Sequence, residues 1–176
     1  QVIEKCDGLP LSVKVMGGLL RQKGKQRHDW EMVLNDSIWS VSEMPEELNY
    51  AVYLSYEDLP PCIKQCFLHY SLLPKGGLFY RSAIIGMWIS EGFIHGSSDD
   101  LEELGIKYYI ELILRNLIEP GIQHIDDPVF NMHDVVRSFA QYLTKDEALV
   151  AQDGDNAILA KLSAQKFLRL SIEINR

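Results

Sequence analysis

Apolar residues recur at helical spacing along most of the chain, and proline and glycine punctuate them. Leu9, Val13, Met16 and Leu20 fall at i, i+4, i+7 and i+11, which predicts a one-faced helix. Pro10 suits its first position, because its fixed φ matches a helix start and its missing N–H would be unpaired there. Gly17 and Gly18 weaken this helix but let another element come close, and Gly24 follows Arg21 and Lys23 as a C-cap. His28 to Asp36 reads as a short helix anchored by Trp30, Val33 and Leu34, and Ser37 to Met44 as a loop around Trp39. Pro45 then opens a longer helix with an inner face of Leu48, Ala51, Val52, Ser55, Tyr56 and Leu59. Pro60 and Pro61 end it and start the next, in which Ile63, Cys66, Phe67 and Tyr70 share a face until Pro74 and Gly76-Gly77.

Arg81 to Gly92 is predicted helical, with Ile84, Ile85, Trp88 and Ile89 inward and Ser82 near the cap. A further helix starts at Asp99 and Asp100 and runs to about Ile118. It is apolar on more than one face, which predicts extensive burial, and Glu119-Pro120-Gly121 stops it. The rhythm then changes. Ile122 to Ile125 and Val129 to Met132 flank Asp126-Asp127-Pro128, a hairpin signal. A closing helix to about Thr144 turns Val135, Val136, Phe139, Ala140 and Leu143 to one side, with Asp134 expected as its N-cap. Asp153 to Asn156 reads as a loop, and Phe167 to Ile172 alternates like a strand. Helices, a hairpin and a closing helix make a mainly α, winged-helix outline.

Composition narrows the classes. The 176 residues are 47% hydrophobic, enough for one sizeable core or two small ones. The chain begins at Gln1 inside what reads as an element already under way, and is expected to be a piece of a longer protein. No run of about eighteen apolar residues predicts a membrane span. Three cysteines, an odd number, argue against a disulfide framework and for a reducing compartment. The net charge of −8 disfavours nucleic acid and anionic membranes as partners.

Several chemistries can be weighed on spacing. Around Gly18 to Gln26, five residues separate Gly18 from Gly24 where a P-loop needs four, and no Ser or Thr follows Lys25, so this is not a Walker A loop. Cys62, Cys66 and His69 lie on one helical face, but the pair lacks the tight turn of a structural zinc site, and buried free thiols are the better reading. No nucleophile elbow is present, so no catalysis is expected from this chain alone. A recognition helix opening with Asp99, Asp100, Glu102 and Glu103, and a hairpin tip of Asp126-Asp127, would repel DNA. The informative stretch is Asn131 to Val136. His133 sits where a strand gives way to a helix N-terminus, whose free N–H groups and dipole favour an anion. An imidazole adds a donor there, and the chemistry reads as phosphate sensing.

These pieces resemble one family. Gly8-Leu9-Pro10-Leu11 is identical to the GLPL motif of plant NB-ARC proteins, the nucleotide-binding leucine-rich-repeat immune receptors. Leu54 to Pro60 matches LSYxxLP, Cys66 to Pro74 resembles CFLYCSLFP, Trp88 to Ile94 resembles WxAEGFI, and Met132-His133-Asp134 is an intact MHD motif. The versions are similar to the coiled-coil (non-TIR) branch. Tyr70 departs from the motif's usual Cys, and Lys75-Gly76-Gly77 from its usual acidic residues.

The resemblance implies the C-terminal part of a helical ARC subdomain over 1–44, a winged-helix second ARC subdomain over 45–150, and a linker with the start of a leucine-rich-repeat region over 151–176. It implies an ADP/ATP-dependent switch in plant defence, with Pro10 against the adenine, His133 at the β-phosphate and Tyr56 also lining the site. Gly8, Leu9, Leu11, Met132 and Asp134 would support them. Magnesium and any weak ATPase activity would depend on residues outside this chain. The implied partners are an upstream nucleotide-binding domain, downstream repeats, a pathogen effector or guarded host protein, and further copies in an active oligomer, all in the cytoplasm. The alternative keeps the fold and makes it a nucleotide-independent scaffold or decoy.

Overall fold

The computed structural model describes residues 2–24, 26–40, 45, 49–74, 77–96, 100–123, 128–152 and 168–173. A short helix α1 (Val2–Lys5) leads into α2 (Pro10–Gln22), and α3 (Arg27–Leu34) comes next. Pro10 does open α2. Asp7 and Gly8 both hold positive φ (49° and 68°), a reversal that glycine makes without strain. The expected stripe is rotated, however. Met16 and Leu20 are buried with Ser12, Val15 and Leu19, whereas Leu9 and Val13 are 52% and 36% exposed. The face that packs is set by a neighbour, α4 (Tyr50–Glu57), and not by the apolar count alone.

Helix α4 starts at Tyr50 and not at Pro45, where the sequence predicts its opening, and Leu48 lies outside the described residues. Asn49 sets the boundary. Its Oδ1 accepts from the backbone N–H of Ala51 and Val52 at 3.1 and 3.2 Å. Its Nδ2 donates to Ser12 Oγ at 2.9 Å, so one side chain caps α4 and ties α2 to it. Trp39 lies in a 3₁₀ turn (Ser37–Ser40), donates its Nε1–H to Val33 O and stacks on Tyr50.

Helix α5 (Pro61–His69) passes into a 3₁₀ turn (Tyr70–Leu72), then strand β1 (Phe79–Tyr80) and helix α6 (Arg81–Ser90). The inward residues Ile63, Cys66, Phe67 and Tyr70, and Ile84, Ile85 and Trp88, are buried as their spacing required. Helix α7 (Leu101–Leu114) stops four residues before Ile118, because Asn116 takes a left-handed φ of 55° that turns the chain away. Its second apolar face is only half covered, with Ile110 46% exposed. Glu119, Pro120 and Gly121 are not a stop. They belong to β2 (Glu119–Gln123), which pairs antiparallel with β3 (Pro128–Asn131).

The hairpin gains a third strand. β1 pairs with β3 (Phe79 opposite Phe130), giving the order β1-β3-β2. Helix α8 (Asp134–Leu143) closes the winged-helix unit. Beyond it, β4 (Ala148–Gln152) and β5 (Arg169–Glu173) form a separate parallel pair, so β4 straddles the boundary expected at 150/151. Phe167 and the loop at Asp153 to Asn156 lie outside the described residues.

Phe130, fully buried, is ringed by Tyr70, Phe79 and Tyr109 at centroid distances of 5.3, 5.8 and 5.6 Å. Replacing it with alanine removes packing from the 3₁₀ turn, β1 and α7 at once. The expected cost is about 3–5 kcal/mol, read as a lower midpoint in urea unfolding. A loss below about 1 kcal/mol would show that the strand is held mainly by its ladder.

Candidate functional site

The site residues are placed by the strand that Phe130 anchors. β3 runs outward to Asn131, the chain turns through Met132 and His133, and α8 begins. The cap assignment changes here. His133, not Asp134, is the N-cap, with extended backbone (φ −60°, ψ 138°), and its Nδ1 accepts the N–H of Val135 at 3.2 Å. Asp134 occupies the first turn, where a carboxylate complements the helix dipole. With Nδ1 used as an acceptor, the neutral ring carries its proton on Nε2. His133, Asp134 and Val135 are all exposed. The turn thus offers an oriented N–H donor beside an accessible helix N-terminus.

Helix α8 is held by two side chains that reach the 3₁₀ turn after α5. Arg137 donates its Nε–H and an Nη2–H to Leu73 O at 2.9 and 2.6 Å. Gln141 Nε2 donates to Ser71 O at 3.3 Å. Two of the stretches singled out by sequence, Cys66 to Pro74 and Met132 to Asp134, are therefore joined mechanically. Arg137 gives no sequence signal apart from its place one turn after His133.

Pro10 is exposed at the first turn of α2. One turn on, Lys14 Nζ meets Glu119 Oε1 at 2.9 Å, and Lys14 O accepts from Asn116 Nδ2 at 3.0 Å. Glu119 stands opposite Asn131 in the β2/β3 ladder, and His133 comes two residues later. Lys14, one turn after Pro10, is thus connected through Glu119 to Asn131, two residues before His133. Gly8 and Leu9 are exposed, and Leu11 and Met132 are half-buried.

Tyr56 lies in the core. Only 9% exposed, it packs on Phe67 and Phe139 at 5.5 and 5.6 Å, with Lys64 Nζ 4.9 Å from its ring centroid. Burial pushes its phenol up, and Glu57 and Glu147 add to this. In the same motif, Asp58 makes the polar contacts, receiving Arg115 Nη1 at 2.9 Å and also Lys23 Nζ. Of the thiols, Cys66 is fully buried, and burial pushes it up to about 12.

A model for the winged-helix domain of disease resistance proteins matches residues 72–140, the span from the 3₁₀ turn through Ala140. Residues 72–140 are a disease resistance winged-helix domain. The disease resistance RPP13-like protein 1 of Arabidopsis thaliana is 36% identical over 156 residues, covering 88% of this chain and 14% of that protein. Disease resistance protein RGA2 of Solanum bulbocastanum is 31% identical over 144 residues, 81% of this chain and 15% of that protein. Disease resistance protein RPM1 of Arabidopsis thaliana is 30% identical over 167 residues, 89% of this chain and 18% of that protein. The chain therefore spans roughly a seventh of the length of the first two relatives. Among the described residues no helix is long and apolar enough to cross a membrane.

The thiol environments make a direct prediction for this chain. At pH 8 iodoacetamide should modify half-buried Cys62 well before Cys66, whose thiol stays protonated until near pH 12. Peptide mapping of the alkylated chain measures the order. Equal rates at both positions would mean that the face carrying Cys66 opens.

Proposed function

We propose that this chain is the latch segment of a nucleotide-dependent switch in plant defence. The winged helix closes over ADP held by a P-loop domain upstream, and ATP favours an open, signalling arrangement. The observation that carries this reading is the setting of His133. Its cap bond to Val135 fixes the ring, so that Nε2–H is offered next to the N-terminus of α8. That combination suits a terminal phosphate oxygen. Pro10 would cover the base. Met132 and Asp134 hold the turn, and Gly8, Leu9 and Leu11 shape the start of α2. The buried position of Tyr56 makes it a support of α5 and α8 in this scheme.

The motifs and relatives suggest the wider setting. The chain would belong to a cytoplasmic receptor of the coiled-coil branch, with repeats downstream that receive a pathogen effector or a guarded host protein. The active form would be an oligomer. The chain performs no chemistry itself, and magnesium would be bound by upstream residues.

The magnitude is adequate. A hydrogen bond to a charged group contributes about 1.5–3 kcal/mol, and its loss would shift the closed/open ratio by roughly ten- to a hundredfold. In the full-length receptor, His133→Ala and Asp134→Val should therefore signal without a pathogen. Mass spectrometry of nucleotide released from the purified receptor should find ADP in the wild type. Pro10→Ala should lower that occupancy several-fold. A receptor that carries no nucleotide, or variants that stay silent at normal expression, would refute the latch in favour of a scaffold.

A further inference from the structure

The joint between α2 and the winged helix contains a buried cation. The Arg115 side chain, at the C-cap of α7, is 5% exposed. Its Nε–H goes to Glu111 Oε1 at 2.7 Å, and Nη1 donates to Asp58 Oδ2 at 2.9 Å and to Ser55 O at 3.4 Å. The other oxygen of Asp58 takes Lys23 Nζ from the C-cap of α2. One carboxylate at the end of α4 therefore joins α2 to α7 through two cations.

A second, independent feature marks the same joint. A Cβ on Gly18 would stand 2.7 Å from the Cα and carbonyl carbon of Arg115 and from Leu114 O. The α2 backbone thus lies directly on the C-terminal turn of α7. Asn116 then returns its amide to Lys14 O. The next strand after α7 is β2, which begins at Glu119 and pairs with the strand that leads to His133. A shift of α2 against α7 would be transmitted along this path to the separation of Pro10 from His133.

We infer that Asp58, Arg115 and Lys23 form a clasp that positions α2 against the winged helix, and that its integrity governs retention of the nucleotide. The clasp acts through the placement of Pro10 and His133, so this inference rests on the switch reading. Asp58 and Arg115 are positioning residues, and neither touches the ligand. Removing the Asp58 charge leaves the buried Arg115 guanidinium with Glu111 as its remaining carboxylate and cuts its link to Lys23, which acts mainly on the rate of separation.

The test uses the full-length receptor with two readouts, amide hydrogen exchange and the rate of ADP release. Asp58→Asn should raise exchange in 15–20 and 112–118 by about tenfold or more, leave α5 and α6 protected, and speed ADP release on the order of tenfold. Asp58→Glu should restore both, which a general loss of fold would not allow. Lys23→Met, which removes the partly exposed limb, should act in the same direction to a smaller extent. Arg27→Ala, which breaks an exposed pair on α3, should change neither readout. Unchanged exchange, loosening spread equally over all helices, or local loosening without faster ADP release would overturn the clasp. A receptor purified without ADP would refute the switch reading itself, and exchange alone would then decide whether the clasp holds the joint.

Discussion

The structure depends first on the aromatic enclosure of Phe130. A three-stranded wing with a two-residue edge strand has too short a ladder to be held by backbone hydrogen bonds alone. Phe130 supplies what the ladder lacks, because Tyr70, Phe79 and Tyr109 approach it from the 3₁₀ turn, β1 and α7. Tilted and edge-on aromatic pairs add about 0.5–1.5 kcal/mol each beyond area burial. Tyr70 passes the packing on to Trp88 of α6 at 5.8 Å. The strand fixed in this way ends one residue later and releases the chain into the Met132–His133 turn. The turn that carries the exposed imidazole is thus anchored by a fully buried ring three positions before it, and the cap bond to Val135 orients the imidazole itself.

A second network, polar where the first is apolar, sets the other side of the molecule. Burying the Arg115 guanidinium costs desolvation that its ion pairs offset only in good geometry, and an apolar side chain of similar size would serve stability as well. What the charge adds is direction. Glu111 orients the guanidinium along α7, Asp58 receives it from α4, and Lys23 of α2 meets the same carboxylate. An apolar contact between α2 and α7 would tolerate sliding, whereas fixed donors and acceptors select one register. The bare Gly18 backbone at this contact imposes the same restriction sterically.

How much of this is legible in the sequence depends on whether the deciding force is local. The inner faces of α4, α5 and α6 can be read from spacing because those helices bury one stripe against a single core, as Val52, Ser55, Cys66, Phe67, Ile84 and Trp88 show. Spacing misjudges the face of α2 because Leu9 and Val13 fit the stripe equally well, and only the position of α4 decides between them. It places the end of α7 too late because apolar Leu117 and Ile118 continue the helical pattern, while Asn116 breaks it through backbone conformation. β1 is two residues long and carries no periodicity to detect. Residue preference points to Asp134 as the cap of α8, although the carboxylate falls one position late and the imidazole of His133 takes its place. Spacing places Pro10 and His133 at helix starts, where both are exposed, while Tyr56 lies in the core. Asp58, Arg115 and Arg137 escape a sequence reading because the Asp58–Arg115 and Arg137–Leu73 contacts span 57 and 64 residues of chain.

This division between readable and hidden residues has a physical basis. Pro10 and His133 are readable because each sits at a helix start, where backbone chemistry restricts the residue types. Lys14 is an exposed position and Glu119 and Asn131 are half-buried ones, and what they contribute comes from reach and ladder register. Lys14–Glu119 is an exposed pair, and such a pair contributes little to stability. The geometry of this connection must therefore be enforced from beneath it, by the Phe130 enclosure on the strand side and the Asp58 clasp on the helix side. The two networks meet on α7, which contributes Tyr109 to one and Glu111 and Arg115 to the other, so a displacement of that helix reaches both.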